Sequence, residues 1–532
     1  MPSLAFADML PLAADHVAWT RESFTRWFRS LEFDERIIVL SNREPVCHEF
    51  NGSDAPLAVR GGSGVVNAVE PLIRATSGVW VAAAGGSADR LVPLERDGLP
   101  VPSGAPEYRL RRVWLTPEEQ QGYYAGCANE ALWPLFHRAH VKPVFRSDDL
   151  SAYWSVNARF ADAVCEEATN VASPTHAGTT GAPVVLVQDY HFALVPVMLR
   201  ERLPRSTIVT FWHIPWVDWR TFQVCPWRDH LLEGLLGSDI IGFQTAADCH
   251  NFLETVARWG EVHVDREQGI VTYQRHRVRV REYAASVEWD PERERRTLPV
   301  WACRAAVRRA LALPAHIRLG VGVDRLDYTK GIEEKFLAVE RLFECFPDIA
   351  GRFAFVQLAQ PTRGALPVYR DLRSRVRATA DRINRRFGEG DYRPILLLEG
   401  NHGADEIDRY FRAADVCYVN SLHDGMNLVS KEFARARDDL RGVLVMSEFA
   451  GAARDLPGAV LVNPYDLDES ARALAGALGM PEQSQRERMR QMRENVAEFS
   501  AHRWGARILA DVIRLRQDDR HLGATQARMS AG

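Results

Sequence analysis

The sequence lacks the features that mark several large classes of protein. None of its eight cysteines forms a C-x-x-C pair, which argues against a disulfide framework and against a zinc site. No apolar run approaches the roughly 18 residues of a membrane span. The N-terminus has no basic segment before its apolar residues and carries Asp8, so a signal peptide is not expected. We therefore predict a cytoplasmic protein with reduced cysteines and no membrane partner.

An excess of basic residues is also missing. The chain has 66 lysines and arginines against 70 aspartates and glutamates, a net charge of −4. A general nucleic-acid binder needs a basic surface, so we expect no nucleic-acid partner. This balance still allows a small anionic ligand that a few local cations bind.

What the sequence does contain is an alternation of strands and helices. Its 532 residues are too many for one hydrophobic core. Short β-branched runs such as "RIIVL" and "PVVLVQ" alternate with helical segments, in two series that meet around 288–305. This pattern predicts two doubly wound α/β domains with parallel sheets. The predicted boundaries are a helical prefix at 1–36, an N-terminal domain at 37–298, a C-terminal domain at 299–484, and a helix with a loose tail at 485–532.

Polar residues follow most of the predicted strands. In open α/β sheets, ligands bind beyond the carboxyl ends of the strands, so these residues are the candidates for chemistry. They are Arg43, the Ser63–Gly64 turn, Asp189, His191, His213, Arg325, Lys330, Arg363, Asp424 and Glu448. If both domains present their loops to each other, these residues line an interdomain cleft.

The segment "VDRLDYTKG" places Arg325 and Lys330 five residues apart on a loop that leaves a strand. Two cations converging there suit a diphosphate, with arginine as a planar fork and lysine as a point charge. The same spacing equally allows a surface ion pair of Arg325 with Asp324 or Asp327.

The segment "HDGMNLVSKE" begins in the same way, with Asp424 directly after a predicted strand. Gly425 allows close backbone approach or a positive φ. A helix that starts near Asn427 would direct unpaired N–H groups of residues 426–429 at a phosphate. Glu432 then lies one turn into the helix and can accept hydrogen bonds from sugar hydroxyls. The alternative is that Asp424 caps the helix and Glu432 is solvated.

Two further segments, "QDYHFAL" and "FWHIPW", each place a histidine at a strand end. A single histidine is more often structural than catalytic, so these signals are weak alone. The turn "RGGSGVVNAVEPL" opens a helix and could bind a phosphate, but it is not the G-x-G-x-x-G dinucleotide fingerprint.

Together these segments resemble the trehalose-6-phosphate synthase family of retaining nucleotide-sugar glycosyltransferases. The resemblance covers about 37–500, and the segments that carry it are "SNREPV", "LWPLFH", "VQDYH", "FWHIPW", "PWRDHLLEGLLGSDIIGFQT", "VDRLDYTKG", "HDGMNLVSKEF", "SEFAGAA" and "VNPYD". It implies the GT-B fold, in which two Rossmann-like domains face an interdomain cleft that holds the active site. It also implies that the last helix crosses back to the N-terminal domain.

On the donor side, the resemblance implies that Arg325 and Lys330 bind the diphosphate of a nucleotide-glucose. Backbone groups of Asn427, Leu428 and Val429 complete that pocket. In the same comparison Glu432 binds the ribose, Asp424 and His213 bind the transferred glucose, and Gly64 lies in a loop that closes over the leaving phosphate.

On the acceptor side, the resemblance implies a phosphate clamp formed by Arg43, Tyr124, Trp133 and Arg363. Asp189 would contact the acceptor hydroxyls. The acceptor would attack from the leaving-group face, and a phosphate oxygen would take its proton. Because Arg325 and Lys330 replace the metal ion of other transferases, we expect no metal and no cofactor. A homo-oligomer is a possible state.

The resemblance implies glucose transfer to glucose 6-phosphate, giving α,α-trehalose 6-phosphate, but four residues in three segments depart from the family pattern. Ser63 and Val65 flank Gly64 where the family has Gly-Gly-Leu, Ala83 stands where a tryptophan is common, and His423 replaces an arginine. These changes leave glycerol 3-phosphate open as the acceptor.

Two other functions fit the sequence less well. A noncatalytic sensor of sugar phosphates should have lost some of the donor-side residues, and they are present. A dinucleotide-dependent oxidoreductase would need the glycine fingerprint, which is missing.

Overall fold

The structure is a computed structural model of the chain, and it describes residues 18–31, 33, 35–50, 56–60, 64–92, 98–170 and 181–530. Contacts within the chain divide it into two compact units. The first unit takes residues 1–132, 144–288 and 498–532, and the second takes 133–143 and 289–497. No helix in the described ranges has both the length and the apolar character needed to cross a membrane.

Among its described residues, the first unit contains a sheet of ten strands and a separate hairpin. In chain order the strands are β1 (Ile37–Arg43), β2 (Val46–Phe50), β3 (Pro56–Arg60), β4 (Val79–Ala83), β5 (Leu99–Val101), β6 (Tyr108–Val113), β7 (Val184–Gln188), β8 (Thr207–Trp212), β9 (Ile240–Phe243), β10 (His263–Asp265), β11 (Ile270–Tyr273) and β12 (His276–Glu282). The sheet order is β10-β11-β12-β9-β8-β7-β1-β4-β6-β5, and β2 pairs with β3 alone.

The strands from β12 to β6 in that order are parallel, and antiparallel strands are added at both edges. The central strands are buried on both faces, as the near-continuous apolar runs of β1, β7 and β8 require. Helices cover the sheet at Arg21–Ser30, Gly64–Thr76, Ser147–Thr169, Val195–Arg202, Trp219–Phe222, Arg228–Leu235, Ala246–Trp259 and Ala501–Ser530.

A continuous helical stretch between β6 and β7 has unusual geometry. It begins as an α-helix at Pro117–Glu119, continues as a π-helix with wide i→i+5 turns at Gln120–Leu132, and ends as an α-helix at Trp133–His137. Wide turns of this kind are rare and occur often at functional sites. The unit boundary falls inside the stretch, between Leu132 and Trp133.

The prefix packs on the first unit where it is described. Helix Arg21–Ser30 is capped by Thr20 and buries Phe24 and Trp27. The Phe24 ring lies 6.0 Å from the ring of His502. Residues 1–17 lie outside the described residues.

The second unit has a six-stranded parallel sheet, again counting described residues. Its strands are β13 (Arg318–Arg325), β14 (Phe353–Gln360), β15 (Ile395–Glu399), β16 (Val416–Val419), β17 (Val443–Ser447) and β18 (Val460–Val462). The order β15-β14-β13-β16-β17-β18 is that of a dinucleotide-type doubly wound sheet. Helices pack on it at Pro291–Arg296, Val300–Ala310, Ile332–Cys345, Pro367–Phe387, Ala404–Ala413, Leu428–Ala436, Leu467–Gly479 and Glu482–Glu498.

The contact units depart from the predicted domain boundaries. Residues 133–143 belong to the second unit, although the prediction assigned all of 37–298 to the first, and the later boundary lies at 288/289 instead of 298/299. The early segment joins the second unit because the Trp133 ring packs on the guanidinium of Arg363, 4.1 Å away.

The C-terminal boundary also differs. Residues 485–497 belong to the second unit and 498–532 to the first, whereas the prediction made 485–532 one segment. Helix Glu482–Glu498 remains with the second unit because it buries Met489 and Met492, and Arg493 donates to the carbonyl of Ala434 at 3.3 Å. The final helix contributes its apolar residues to the first unit instead, for example Trp504 against Phe211.

Candidate active site

The second unit carries its predicted donor residues at the switch point of its sheet. Strands β13 and β16 are neighbours there, and the chain order on either side runs in opposite directions. Arg325 ends β13, and Asp424 lies on the loop that follows β16. Such a point between two diverging loops is where open α/β sheets bind ligands.

Lys330 and Asp424 join these two loops by an ion pair. Lys330 Nζ donates to Asp424 Oδ2, and each side chain is only 12% exposed. Asp424 also accepts from Ser421 Oγ at 3.0 Å and from Asn427 Nδ2 at 3.2 Å. Burial raises the pKa of Asp424, but the Lys330 ammonium, with help from His137 and Ser421, outweighs burial and lowers that pKa to about 2. Asp424 is therefore a fixed anion at neutral pH.

Gly331 allows the loop after β13 to approach the loop after β16 closely. Gly331 has φ +58°, and a Cβ at this position would lie 2.3 Å from the carbonyl oxygen of Asn420. The two loops are joined just beside it, where the N–H of Leu422 donates to the carbonyl of Thr329 at 2.8 Å. A side chain at residue 331 would therefore separate Lys330 from Asp424.

The segment "HDGMNLVSKE" folds as a turn that opens a helix. Helix Leu428–Ala436 starts after Asn427, whose side-chain oxygen accepts from the N–H of Ser430 at 3.2 Å. Leu428 and Val429 therefore occupy the first turn, where backbone N–H groups have no partner within the helix. The positive φ of this segment lies at Asn427, at +74°, and not at Gly425.

Close backbone approach, the other use foreseen for Gly425, is present. A Cβ built on Gly451 would lie 2.0 Å from the carbonyl oxygen of Gly425, so that the two backbones touch. The N–H of Gly451 donates to the carbonyl of Asp424 at 3.2 Å. This contact anchors the turn that holds Asp424.

The alternatives that the sequence left open for this site do not form. Asn427, and not Asp424, caps the helix. Asp324 pairs with Lys335, and Asp327 pairs with Arg363 at 2.8 Å. Among the described residues no carboxylate lies within ion-pairing distance of Arg325, and its guanidinium lies 5.4 Å from the centre of the Trp133 ring.

Glu432 lies in the same helix and is half-buried, which does not fit a fully solvated residue. It follows Leu428 by four residues, so both lie on one side of the helix. Its predicted contact with a ribose stays a prediction.

Asp327 organises a cluster of aromatic and cationic groups in this unit. Its buried carboxylate pairs with Arg363, and the Trp133 indole N–H donates to it at 3.4 Å. The Arg363 guanidinium also stacks on Trp133 and lies 5.4 Å from the ring of Tyr369. Burial raises the pKa of Asp327, but Arg363, Arg325 and Lys330 together outweigh it and lower that pKa.

The charges around this site favour an anion. Three cations (Arg325, Lys330 and Arg363) surround two carboxylates (Asp327 and Asp424), which leaves one positive charge uncompensated. In a partly buried site such an excess attracts phosphate groups.

His423, to which the sequence assigned no role, connects the loop after β16 with the segment 133–143 of this unit. Its Nδ1 bonds the carbonyl oxygen of His137 at 2.9 Å, and His137 Nδ1 bonds the carbonyl of Trp133 at 2.9 Å. The Trp133 ring also packs on the His137 ring, 3.9 Å away. Burial lowers the pKa of His423, so the residue is neutral at pH 7, whereas the resemblance implies a charged arginine at this position.

In the first unit, Arg43 and Tyr124 lie together at the carboxyl edge of the sheet. Arg43 ends β1, and its guanidinium donates to Tyr124 Oη at 3.2 Å. The Tyr124 ring stacks on His191 with 5.9 Å between ring centres. Tyr124 belongs to the π-helix Gln120–Leu132, which holds the Tyr124 ring over the loop after β7. An arginine beside a tyrosine hydroxyl suits a phosphate.

Asp189 and His213 follow the adjacent strands β7 and β8. Asp189 has φ +75°, a strained conformation for a residue with a side chain, and strain of this kind is concentrated at functional sites. Its carboxylate accepts the backbone N–H of His213 at 3.1 Å.

The imidazole of His213 bonds Gln188 Oε1 through Nε2 at 2.8 Å. Burial lowers the pKa of His213 to about 3, so the ring is neutral. With the proton on Nε2 for Gln188, Nδ1 remains an acceptor for a substrate hydroxyl.

Gly64 opens helix Gly64–Thr76. Ser63 and the two residues before it lie outside the described residues, so the predicted closing loop stays a prediction. The predicted acceptor clamp is described as two pairs: Arg43 with Tyr124 in the first unit, and Trp133 with Arg363 in the second.

Several residues of the site were missed by the sequence reasoning. The sequence pattern offers Asp327 only as a surface partner of Arg325, and it does not point to Gln188, Tyr369 or His137. The available signal was position, since Gln188 and Asp327 lie inside "VQDYH" and "VDRLDYTKG". The described residues include no group of three or more histidines, cysteines or acids that could hold a metal ion.

Comparison with known proteins places the chain in a family. The model of glycosyltransferase family 20 matches residues 35–514. A trehalose-6-phosphate synthase of Mycobacterium sp. (strain KMS) is 35% identical over 488 residues, covering 90% of this chain and 95% of that protein.

Solved structures agree with this match. An E. coli structure bound with UDP-2-fluoro glucose is 29% identical, with a TM-score of 0.76 and coverage of 90% of this chain and 98% of that one. An α,α-trehalose-phosphate synthase (UDP-forming) from Burkholderia xenovorans in complex with glucose-6-phosphate is 31% identical, with a TM-score of 0.76 and coverage of 90% and 99%. They confirm the predicted GT-B fold of two Rossmann-like domains. The chain is a glycosyltransferase and belongs to glycosyltransferase family 20.

Proposed function

We propose that this enzyme transfers glucose from UDP-glucose to glucose 6-phosphate and releases UDP and α,α-trehalose 6-phosphate, with retention of configuration. One observation carries the proposal. The buried Lys330–Asp424 pair lies beside Arg325 and the start of helix Leu428–Ala436, so that cations, N–H groups and a fixed carboxylate converge. The relatives bound with UDP-2-fluoro glucose and with glucose-6-phosphate supply the identity of the two substrates.

The donor side is suited to stabilising a departing diphosphate. A glycosyl transition state is oxocarbenium-like, so negative charge grows on the leaving phosphate while positive charge grows on the sugar. The Lys330 ammonium has three N–H donors. One of them bonds Asp424, and the other two N–H groups bind the diphosphate. Arg325 supplies a planar guanidinium, and the N–H groups of Leu428 and Val429 add fixed dipoles.

The sugar side needs acceptors for hydroxyl groups. Asp424 remains ionised and so accepts from glucose hydroxyls, and Nδ1 of the neutral His213 does the same. Glu432 is assigned to the ribose of the nucleotide, and Gly64 to the loop over the leaving phosphate.

The acceptor side is assigned to four phosphate ligands and one carboxylate. Arg43 with Tyr124 and Arg363 with Trp133 bind the phosphate of glucose 6-phosphate, and Asp189 orients its hydroxyls. The pair with Asp327 orients Arg363 without exhausting its five donors. The acceptor hydroxyl attacks from the leaving-group face, and its proton passes to the phosphate oxygen that departs.

The first prediction concerns metal ions. Because Arg325 and Lys330 supply the positive charge at the diphosphate, we propose that no metal and no cofactor takes part. Dialysis against EDTA, followed by assay with EDTA present, is expected to leave kcat and KM for UDP-glucose unchanged. A loss of activity that Mg²⁺ or Mn²⁺ restores would contradict this assignment.

The second prediction concerns the substrates. Purified enzyme is assayed with UDP-, GDP- or ADP-glucose and with glucose 6-phosphate or glycerol 3-phosphate, and the released nucleoside diphosphate is measured. We expect the highest kcat/KM with UDP-glucose and glucose 6-phosphate. Mass and NMR analysis of the product checks the α,α linkage.

A second candidate acceptor is glycerol 3-phosphate, which Ala83 favours. This small residue ends β4, next to β1 and Arg43, where the family pattern commonly has a tryptophan. Turnover with glycerol 3-phosphate alone would replace the trehalose assignment. Absence of turnover with every pair, together with saturable binding of glucose 6-phosphate, would favour a noncatalytic sensor.

The location and assembly of the enzyme are proposals as well. All eight cysteines are free thiols in the structure, which suits the reducing cytoplasm. Association into a homo-oligomer is to be measured by sedimentation equilibrium.

A further inference from the structure

A buried charged cluster lies directly behind Arg43. It consists of Glu44, Asp89 and Arg112, whose side chains are 4%, 0% and 0% exposed. Arg112 Nε donates to Glu44 Oε2 at 2.6 Å, and another Arg112 nitrogen lies 2.7 Å from Asp89 Oδ1. Charged groups this deeply buried destabilise a fold unless each of them has ion-pair or hydrogen-bond partners.

The cluster joins four elements of the first unit. Glu44 follows β1, Arg112 lies in β6, and Asp89 lies in the turn after β4. The N–H of Gly85 donates to Glu44 Oε1 at 2.8 Å and to Asp89 Oδ2 at 3.2 Å. In β2, the backbone N–H of His48 donates to Asp89 Oδ1 at 2.7 Å, which ties the hairpin to the same carboxylate.

The charges in the cluster do not balance unless the two carboxyl groups share a proton. Burial, together with a hydrogen bond to Asp89, raises the pKa of Glu44 to about 8, although Arg112 opposes the rise. For Asp89, burial raises the pKa, but the bond from Glu44 and the N–H groups of Gly86 and His48 outweigh burial and lower it. Glu44 is therefore the protonated partner at neutral pH, and Asp89 is the anion.

The other titratable groups around Glu44 do not supply the missing positive charge. His48 Nδ1 lies 2.9 Å from an Arg112 nitrogen and 3.2 Å from Asp89 Oδ1, and as the acceptor of the Arg112 N–H it has no proton there to donate to Asp89. Burial raises the pKa of Cys47 to about 11, so that thiol is neutral. Within the described residues, Arg112 is thus the one arginine or lysine that pairs with the two carboxyl groups.

Arg43 is linked to this cluster through the backbone. Successive side chains of an extended chain point to opposite sides, and here Arg43 is exposed while Glu44 is buried. The carbonyl of Arg43 accepts from Ser41 Oγ at 2.7 Å, at an irregularity in the pairing of β1 with β4. Between Ser41 on one side and Glu44 on the other, the backbone of Arg43 has little freedom.

We propose that the Glu44–Asp89–Arg112 cluster positions Arg43 for the phosphate of the acceptor, so that Glu44 is a positioning residue of the reaction. This inference rests on the proposed function in assigning a sugar phosphate to Arg43. At neutral pH the proton shared by Glu44 and Asp89 keeps the two carboxyl groups hydrogen-bonded to each other. Its ionisation above about pH 8 places two carboxylates side by side and loosens the end of β1.

The test compares Glu44→Gln with Glu44→Ala. Glutamine keeps a neutral group that donates to Asp89 and accepts from Arg112, while Gly85 retains Asp89 as its acceptor. Alanine leaves buried groups unpaired, so KM for glucose 6-phosphate is expected to rise about tenfold or more, while KM for UDP-glucose stays within about twofold. Glu44→Gln is expected to stay within about threefold of wild type in both constants at pH 7. The control is Glu166→Ala, which removes an exposed partner of Arg111 on the same strand β6 and is expected to change neither constant.

A pH series separates positioning from general damage. The ratio of KM for glucose 6-phosphate in wild type to that in Glu44→Gln is expected to rise as the pH passes about 8, because only wild type can ionise at residue 44. Ionisation of the substrate phosphate affects both proteins equally and cancels in the ratio.

The melting temperature tests the shared proton without any activity. The pKa of Glu44 in the folded protein lies above its ordinary value of 4.5, so its stabilising contribution is full below pH 4.5 and is lost as the pH rises to about 8. The melting temperature of wild type minus that of Glu44→Gln should therefore fall between pH 5 and pH 9. This result is independent of the substrate assignment, so failure of the proposed function is distinguishable from failure of the cluster.

The inference is overturned by any of three results. These are equal changes in the two KM values for Glu44→Ala, a Glu44→Gln variant as impaired as Glu44→Ala, or a melting-temperature difference that does not vary with pH. If Glu44→Ala does not fold, the Glu44→Gln pH series and melting curves decide alone.

Discussion

Replacing Arg325 with alanine is expected to lower kcat/KM by about 10²–10³-fold, which corresponds to about 3–4 kcal/mol of transition-state stabilisation. The guanidinium has no carboxylate within ion-pairing distance among the described residues, so its charge is available to a ligand. The loss should fall mainly on kcat, because charge on the diphosphate grows as the glycosidic bond breaks. Steady-state kinetics with UDP-glucose and glucose 6-phosphate measure it.

A matched control for this variant lies at the other end of the same strand. Arg318 begins β13, is half exposed, and lies 3.5 Å from Asp415. Arg318→Ala is expected to leave kcat/KM unchanged. Both variants should melt at nearly the wild-type temperature, and near-normal turnover of Arg325→Ala would reject the role assigned to Arg325.

Replacing Lys330 with methionine is expected to abolish turnover and to destabilise the protein by about 3–5 kcal/mol, since removing one partner of a buried pair leaves an uncompensated charge. Asp424 is the charge left behind, in a site where each side chain is 12% exposed. The Lys330→Met, Asp424→Asn double variant removes both charges, so it should be more stable than the sum of the single changes predicts. Denaturant unfolding measures these free energies.

An exposed pair in the same unit provides the comparison. Arg295 and Glu292 lie 2.6 Å apart with side chains 75% and 57% exposed. Removing Arg295 is expected to cost at most about 1 kcal/mol, because water screens the pair. A similar cost for Lys330→Met would show that Asp424 is not held as a buried anion.

The Lys330–Asp424 pair also determines how the stability of the enzyme falls in acid. The pKa of Asp424 lies below its ordinary value of 3.8, at about 2, so its stabilising contribution is full above pH 3.8 and is lost as the pH falls to about 2. In Lys330→Met burial acts without the opposing ammonium, so the pKa of Asp424 should rise, and the variant should lose less stability than wild type as the pH falls.

The sequence predicted the architecture and the placement of three candidate donor residues just after strands, because both depend on local order. Parallel sheets follow from the alternation of apolar strands with helices, and Arg325, Lys330 and Asp424 were found by their position after strands. A site at a switch point needs only that information. The match to a family model over most of the chain confirms the enzyme class, and the solved structures confirm the fold.

The choice of ion-pair partners could not be predicted. Asp324 and Asp327 both lie within two residues of Arg325 in the chain, yet they pair with Lys335 and Arg363, respectively. Tertiary packing decides between such partners, since β13 sends successive side chains to opposite faces. The shared proton of Glu44 was missed for the same reason, because its partners lie 45 and 68 residues further along the chain.

The location of backbone strain was only half predicted. A glycine in "HDGMNLVSKE" indicated a tight turn, and the turn exists, but Asn427 takes the positive φ. Asparagine tolerates that conformation because its short polar side chain bonds locally, here to the N–H of Ser430. Composition alone does not separate these two possibilities.

The second unit is built from two separate segments of the chain, and this limits how the protein can be recombined with its relatives. Residues 133–143 belong to the second unit although more than 140 residues of the first unit follow them. A chimaera that imports only 289–497 would place a foreign Arg363 and Asp327 against the native Trp133. Exchanging the donor half therefore requires two segments to be transferred together, and genetic crossovers at a single junction should yield poorly active hybrids.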